Sequence, residues 1–373
     1  MLIQHNDNVF LDMAGKHHLC GIYLKGDVSE FTAFHVPKDV THHSSAGLYW
    51  FPNLQEIIAD PESPVYETHD GCLYTKRGEI LYIPHGKTRL HMDACAKDFD
   101  PRVFSDHLNL TEIDTRDNDR YIYKDGCLYS KEMTSLYFVS SQVRELVIPA
   151  SVDRISNCVF DHVYDKIQVA GGNSHFSMRD GILLEALSDE RQKVLYVAPG
   201  VETICLPNRF TADPLCMRHC RSVTTVSFPY DSKDELAPFL NPKKRIAYTI
   251  RFEDGVSVAF EPYPLSVKQY LTVLSGSNVD VRKGTEQIYL DIYFMGKILT
   301  PAQKHNFRLS VMQILKYLID TNDTKRMLKV LKDGRLVTKR NWRRLVCYAD
   351  AVGEKEMQEL LLQPRQLPER IIL

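Results

Sequence analysis

The chain has 373 residues, 44% of them hydrophobic and 25% charged, a composition that belongs to folded proteins and excludes a disordered chain. That length exceeds one ordinary compact domain and implies two or three units, or one elongated array. The net charge of −2 hides a split: residues 281–373 carry 18 Lys+Arg against 10 Asp+Glu, while the first 280 carry 28 against 38. The two parts would therefore meet partners with opposite signs.

The opening MLIQHNDNVFLDMAG lacks a basic segment followed by an apolar core, so it does not read as a secretory leader. No stretch approaches the ~20 apolar residues that a membrane-spanning helix needs. Nine scattered cysteines, an odd number with no CxxC, suit a reducing compartment in which Cys serves as a small apolar filler. A cytoplasmic location is expected, with a secreted or cell-surface one as the alternative if a leader precedes this sequence. Residues 1–30 are assigned to an N-terminal cap. His17-His18 and His42-His43 are adjacent pairs, which on a strand point to opposite faces and so are surface or turn histidines rather than chelates.

From residue 31 a repeat emerges. Asp70-Gly71-Cys72-Leu73-Tyr74 returns as Asp125-Gly126-Cys127-Leu128-Tyr129 and again as Asp180-Gly181-Ile182-Leu183-Leu184, at steps of 55 residues. Each Asp-Gly is a tight-turn signal, and in Cys72–Tyr74 and Ile80–Ile83 two apolar runs flank a polar turn as a hairpin requires. Strand-like segments ending in Pro occur at Phe34–Pro37, Leu146–Pro149 and Ile204–Pro207, whereas the matching Leu90-His91-Met92-Asp93 lacks the Pro. A second short strand, Leu54–Ile57, reappears as Leu110–Ile113 and more loosely as Val223–Val226. Turns carrying Phe99…Val103-Phe104 and Ile155…Val159-Phe160 join the two strands. Gly171-Gly172 lies between repeats without a following Lys-Ser/Thr and is a turn, not a phosphate loop. Four units are legible, beginning near Phe31, Thr88, Val143 and Glu202. Single strands this short cannot bury a face, but stacking unit on unit buries one continuous ladder of Leu, Ile and Phe.

Beyond the solenoid (31–230), residues 231–283 form a Pro-punctuated connector with Pro238, Pro242, Pro262 and Pro264, in which Ala247–Phe260 alternates like a strand. After Gly284 the period changes to helical: Ile288, Ile292 and Met295, then Phe307, Val311, Ile314, Leu315 and Leu318. Thr300-Pro301 starts a helix. Asp323–Leu331 and Thr338–Ala351 predict two more, broken at Asp333-Gly334, and Glu354–Leu362 a fifth.

The run Leu146-Val147-Ile148-Pro149-Ala150-Ser151-Val152 through Cys158-Val159-Phe160, with the interleaved DGxLY hairpins, resembles the BspA-type leucine-rich-repeat proteins of gut bacteria over roughly residues 30–230. The resemblance implies an α/β, β-rich, right-handed leucine-rich-repeat solenoid whose members bind proteins or host surfaces. The 284–373 region, with Asp320–Asp323, Met327-Leu328, Leu331 and Gly334, is similar to ankyrin-like helical hairpins. It completes the expected architecture with a small all-α domain.

Function is expected to reside in binding. Strand alternation that turns Leu146 and Ile148 inward sends Glu145 and Val147 outward. Aligning the units gives outward rows of His35, His91, Val147 and Cys205, of Arg89 and Glu145, and of Glu56 and Glu112 from the second strand. His35, Arg89, His91, Glu145, Glu56 and Glu112 are the expected partner-binding residues, for a protein partner. Lys339, Arg340, Arg343 and Arg344 around Trp342 form a basic patch on an amphipathic helix. It is read as a solvated face, with nucleic acid or an acidic protein as the alternative partner. Cys216, His219 and Cys220 make one irregular triplet without a second ligand pair, so no metal is expected. No GxSxG, HExxH or Gly-rich phosphate loop occurs, and neither a cofactor nor enzymatic activity is expected.

Overall fold

The computed structural model describes residues 2–4, 9–14, 17–24, 28–43, 51–187, 190–240, 246–253, 255, 257–260, 286–294, 301–364 and 366–371. It divides into two compact units, Met1–Val223 and Thr224–Leu373.

The first unit is a β-solenoid, as its repeat predicts. Its rungs are parallel strand pairs: Ala33–Val36 with Glu56–Ala59, Arg89–His91 with Glu112–Asp114, and Glu145–Ile148 with Lys166–Val169. Period-two alternation explains them. Phe34, Leu90, Leu146 and Ile204 point inward and are at most 1% exposed, while their neighbours His35, Arg89, Glu145 and Cys205 face solvent. Each inward side chain contributes about 1.5–3 kcal/mol by leaving water. A strand of three or four residues carries one or two of them, so no rung is stable alone. The third rung's second strand, Lys166–Val169, carries no Leu-x-x-Ile signal and was not legible beforehand.

The hairpin in each unit is one strand larger than the sequence suggested. The Asp-Gly pair does not merely precede a hairpin; it joins two strands, and a third follows. Tyr66–His69, Cys72–Thr75 and Glu79–Tyr82 form one antiparallel meander, repeated by Tyr121–Lys124, Cys127–Ser130 and Ser135–Val139 and by Phe176–Arg179, Ile182–Ala186 and Gln192–Val197. Both turn residues take positive φ in all three cases, as at Asp125 (51°) and Gly126 (79°), which is the two-residue turn that matches strand twist. The last strand of each meander pairs in parallel with Asp98–Phe99, Arg154–Ile155 or Phe210–Ala212. Leu2–Gln4, Val9–Ala14, His18–Leu24 and His42–His43 make a sheet of the same connectivity without an Asp-Gly turn. The expected turns around Val103-Phe104 and Val159-Phe160 are short 3-10 helices with those residues buried.

A second ladder, of polar side chains, knits the units. Ser63, Asn118 and Asn173 recur at the same interval, and each accepts hydrogen bonds from the backbone at the start of its meander. Asn118 also donates to the carbonyls of Asp93 (2.8 Å) and Ala96 (2.9 Å), and Asn173 to those of Pro149 (2.8 Å) and Val152 (2.9 Å). One amide thus satisfies loop backbone on both sides of a junction, which buried peptide groups require.

In the second unit, Thr225–Pro229 pairs in parallel with Ala247–Arg251, which turns back antiparallel to Ser257–Phe260. Pro242, Pro262, Pro264, Gly284, Met295 and Thr300 lie outside the described residues. The helices are Glu286–Phe294, Pro301–Asp320, Thr324–Asp333, Lys339–Ala351 and Lys355–Leu362. Their ends follow local chemistry. Asp323 caps one start through the Arg326 N–H, and Gly334 closes that helix in the left-handed conformation (φ 69°). Thr338 and Asn341 form a reciprocal capping box at the next. Phe307, Ile314, Leu315, Leu318, Met327, Val330 and Leu345 are fully buried between helices.

Candidate functional site

The outward face of the rungs carries the side chains expected there. His35, Glu56, Arg89, Glu112 and Glu145 are exposed and His91 half-buried, and Val147 keeps 52% of its surface in water. The parallel register decides which meet. Arg89 lies opposite Glu112 and donates to its Oε2 from Nη2 (2.6 Å) and Nε (2.9 Å). Glu145 lies opposite Lys166, and Val147 opposite Gln168. His91 Nδ1 stands 3.5 Å from Asp114 Oδ2, and the Arg116 guanidinium beside Asp114 holds that carboxyl well below the usual carboxylate range. Arg89 and Glu112, read from sequence as members of separate rows, are thus partners of each other. His35 and Glu56 sit on the neighbouring rung, two register positions apart on opposite strands.

The histidine doublets are also resolved by pairing. His18 and His42 are cross-strand neighbours with ring centroids 6.2 Å apart, and His17 Nδ1 lies 2.7 Å from the Asp39 carbonyl. The Cys216, His219, Cys220 triplet does not converge. Cys216 is buried, Cys220 Sγ donates to the Val201 carbonyl (3.6 Å) and His219 Nε2 reaches the Phe160 carbonyl (3.0 Å). Burial pushes the Cys72, Cys158 and Cys216 thiols up to about 12 and Cys127 to about 11, so each stays a protonated, unreactive filler at neutral pH.

Two groups escaped the sequence reading. Asp106-His107 recurs as Asp161-His162 one period later. The Asp106 N–H donates to Asp161 Oδ2 (2.8 Å), and Arg218 clamps both carboxylates at 3.0 and 2.6 Å. The dipeptide spacing was the available signal. Second, among the described residues the His, Cys and carboxylate donors that converge are those of His69, Asp93 and Cys95. His69 lies 24 and 26 residues before Asp93 and Cys95 in sequence, so only the fold reveals the group.

On the Lys339–Ala351 helix, Lys339, Arg340, Arg343 and Arg344 are exposed, while Leu345 is buried and Trp342 and Val346 half-buried. Trp342 Nε1 donates to the Leu361 carbonyl (2.7 Å), and Lys339 pairs with Glu369. Lys339, Arg340, Trp342 and Arg343 line a cleft of about 940 Å³ together with Gln363 and Pro364. No helix among the described residues is long and apolar enough to cross a membrane.

No family model and no curated protein matches the chain. Among solved structures it is similar to a leucine-rich repeat protein from Eubacterium ventriosum, at 13% identity over 61% of this chain and 72% of that one, with a TM-score of 0.34. It is also similar to a leucine-rich cell surface protein from Faecalibacterium prausnitzii, at 13% identity over 62% and 71%, with a TM-score of 0.29. A third is the pneumococcal vaccine antigen PcpA, at 12% identity over 61% and 64%, with a TM-score of 0.25.

Proposed function

We propose that the protein is a non-enzymatic scaffold that binds another protein across the outward face of its parallel-strand rungs. The observation that carries this reading is the row at one strand position in successive units. His35, His91, Val147 and Cys205 all turn outward there, with Val147 half exposed on an otherwise polar face. Large apolar or imidazole side chains held on rigid strands can anchor a partner with little loss of side-chain freedom, and the ion pair Arg89–Glu112 with the cross-strand neighbours Glu145 and Lys166 supplies a charged rim. The Arg89–Glu112 pair is exposed, so it contributes about 0–1 kcal/mol and acts mainly on orientation.

The test is affinity capture from the source organism's lysate with the wild-type chain and with Val147→Asp and His91→Asp. Proteins recovered by the wild type and lost with both variants support the reading; an unchanged recovery removes it. The free thiols of all nine cysteines favour a reducing setting, and a leader upstream in the encoding gene would instead favour the cell surface, with a host protein or glycan as ligand.

A second reading rests on the four exposed basic side chains beside the Trp342 cleft, which fit a phosphate backbone or an acidic peptide. Retention of the full chain on DNA at low salt, falling steeply as salt rises and lost in Arg340→Glu/Arg343→Glu/Arg344→Glu, would support nucleic acid. No retention at low salt rejects it.

A further inference from the structure

We propose that His69, Asp93 and Cys95 form a binding site for a divalent transition-metal cation of the Zn2+ class, with a solvent-facing fourth position. One donor atom from each residue lies within 4.8 Å of the other two. His69 Nδ1 stands 3.6 Å from Asp93 Oδ2. Two ligands of a tetrahedral Zn2+ with bonds of about 2.0–2.3 Å are separated by roughly 3.4–3.7 Å, so this edge of the polyhedron is already formed.

The site is built rather than incidental. His69 ends the strand that enters the Asp-Gly turn. Asp93 and Cys95 sit in the loop after Arg89–His91, where Asp93 Oδ1 accepts the Cys95 N–H (2.8 Å) and leaves Oδ2 turned toward the imidazole. Asn118 holds the same loop through the carbonyls of Asp93 and Ala96. The imidazole packs edge-on against Tyr74, with centroids 5.1 Å apart. Tyr74 is 0% exposed, yet its hydroxyl has no hydrogen-bond partner, and neither does the buried His69 Nε2. Buried polar atoms left without partners are rare and mark a missing occupant or a functional role. His69 Nε2 lies 3.4 Å from Glu67 Oε1. With the metal on Nδ1, Nε2 would carry the proton beside the Glu67 carboxylate, the pairing from which a carboxylate–histidine–metal arrangement is made.

The donor set selects the ion. Thiolate and imidazole are ligands for borderline and soft cations, and three oxygen-poor positions do not suit Ca2+ or Mg2+. Binding forms a metal–sulfur bond and releases the Cys95 thiol proton to solvent, and the two anionic ligands, Asp93 and Cys95, balance the dication. The repeat itself has no use for these residues. The position of Asp93 is Pro in the other units (Pro37, Pro149, Pro207), that of His69 is Lys124 and Arg179, and that of Cys95 in the next unit is Ser151. The unit that departs from the pattern is the one in which the departures converge. This inference is independent of the proposed protein partner.

The experiment is calorimetric titration of the full-length, chelator-stripped chain with Zn2+, paired with Co2+ absorption spectra. One equivalent is expected to bind, with a thiolate-to-cobalt charge-transfer band. Cys95→Ser should abolish the band and the site, as should His69→Ala. Asp93→Asn, which keeps an acceptor for the loop, should weaken binding strongly, and Glu67→Gln by roughly 10–100-fold. His42→Ala should change nothing. Absence of binding to the wild type, or unchanged affinity in Cys95→Ser and His69→Ala with matching far-ultraviolet dichroism, overturns the proposal.

Discussion

At the scale of single residues, the solenoid depends on polar side chains that composition and hydrophobic pattern do not announce. Asn118 makes four backbone hydrogen bonds from a 3% exposed position. Asn118→Ala leaves carbonyls and N–H groups of two loops unmade, and each buried orphan costs about 1–3 kcal/mol. We expect a loss in that range or somewhat above it in urea unfolding. Asn118→Ser, which copies the natural Ser63, should recover part of it by restoring the acceptor. His107 is a second such residue. It is 2% exposed and stacks on His85 with centroids 4.3 Å apart. Burial, then the His85 charge, lowers it from 6.5 to about 3. A folded-state value below the unfolded one means that the unfolded chain binds the extra proton. The stabilising effect of a neutral His107 is therefore complete above about 6.5 and is lost as pH falls toward 3. Denaturation midpoints of the wild type should drop between pH 7 and 5 more than those of His107→Phe; parallel curves would show that another group titrates. Neither role was read from sequence, although both residues recur at the repeat interval, because recurrence marks a position and does not say which backbone groups or rings meet there.

At the scale of elements, the Asp-Gly turn is the clearest case in which sequence and structure agree on the cause. The pair marked the turn because Gly accepts positive φ; the strand before it, Tyr121–Lys124, was missed because its Tyr-Ile-Tyr run does not alternate. The inward rows, by contrast, were legible where they recur in a fixed frame, as at Arg89–His91 and at Leu146–Pro149. Lys166–Val169 alternates as well but escaped, because it lacks the Leu-x-x-Ile pattern that marked Leu54–Ile57 and Leu110–Ile113. The turn also meets its neighbour closely. A Cβ on Gly126 would stand 2.4 Å from Val143 Cγ2, whereas one on Gly172, also at positive φ (87°), meets nothing within 4 Å. Gly172→Ala should cost only the left-handed penalty of about 1–2 kcal/mol. Gly126→Ala should cost more, and adding Val143→Ala should return it to the Gly172→Ala value. Equal losses for the two single variants would mean that the Val143 contact yields freely.

At the scale of the whole solenoid, the equal spacing has a consequence that goes beyond any one contact. If each unit meets the next through equivalent groups, one unit can be removed without leaving a mismatched junction. Deletion of residues 119–173 joins Asn118 to Ser174, so that Asn118 keeps its acceptors at Asp93 and Ala96 while Phe176 replaces Tyr121 at the start of the meander, both being buried aromatics. Arg218, which already reaches Asp106 as well as Asp161, retains a carboxylate at the surviving position. Ile182 and Leu183 take the places of Cys127 and Leu128, an exchange of volume that the core accommodates at a cost of about 1–3 kcal/mol. The shortened chain should therefore fold with undiminished β-sheet signal per residue and unfold in urea with a smaller m-value, in proportion to the surface no longer buried. A deletion variant that is aggregated or lacks sheet dichroism would show that the units are not interchangeable, and that the solenoid is held by features specific to residues 119–173 rather than by the shared interval.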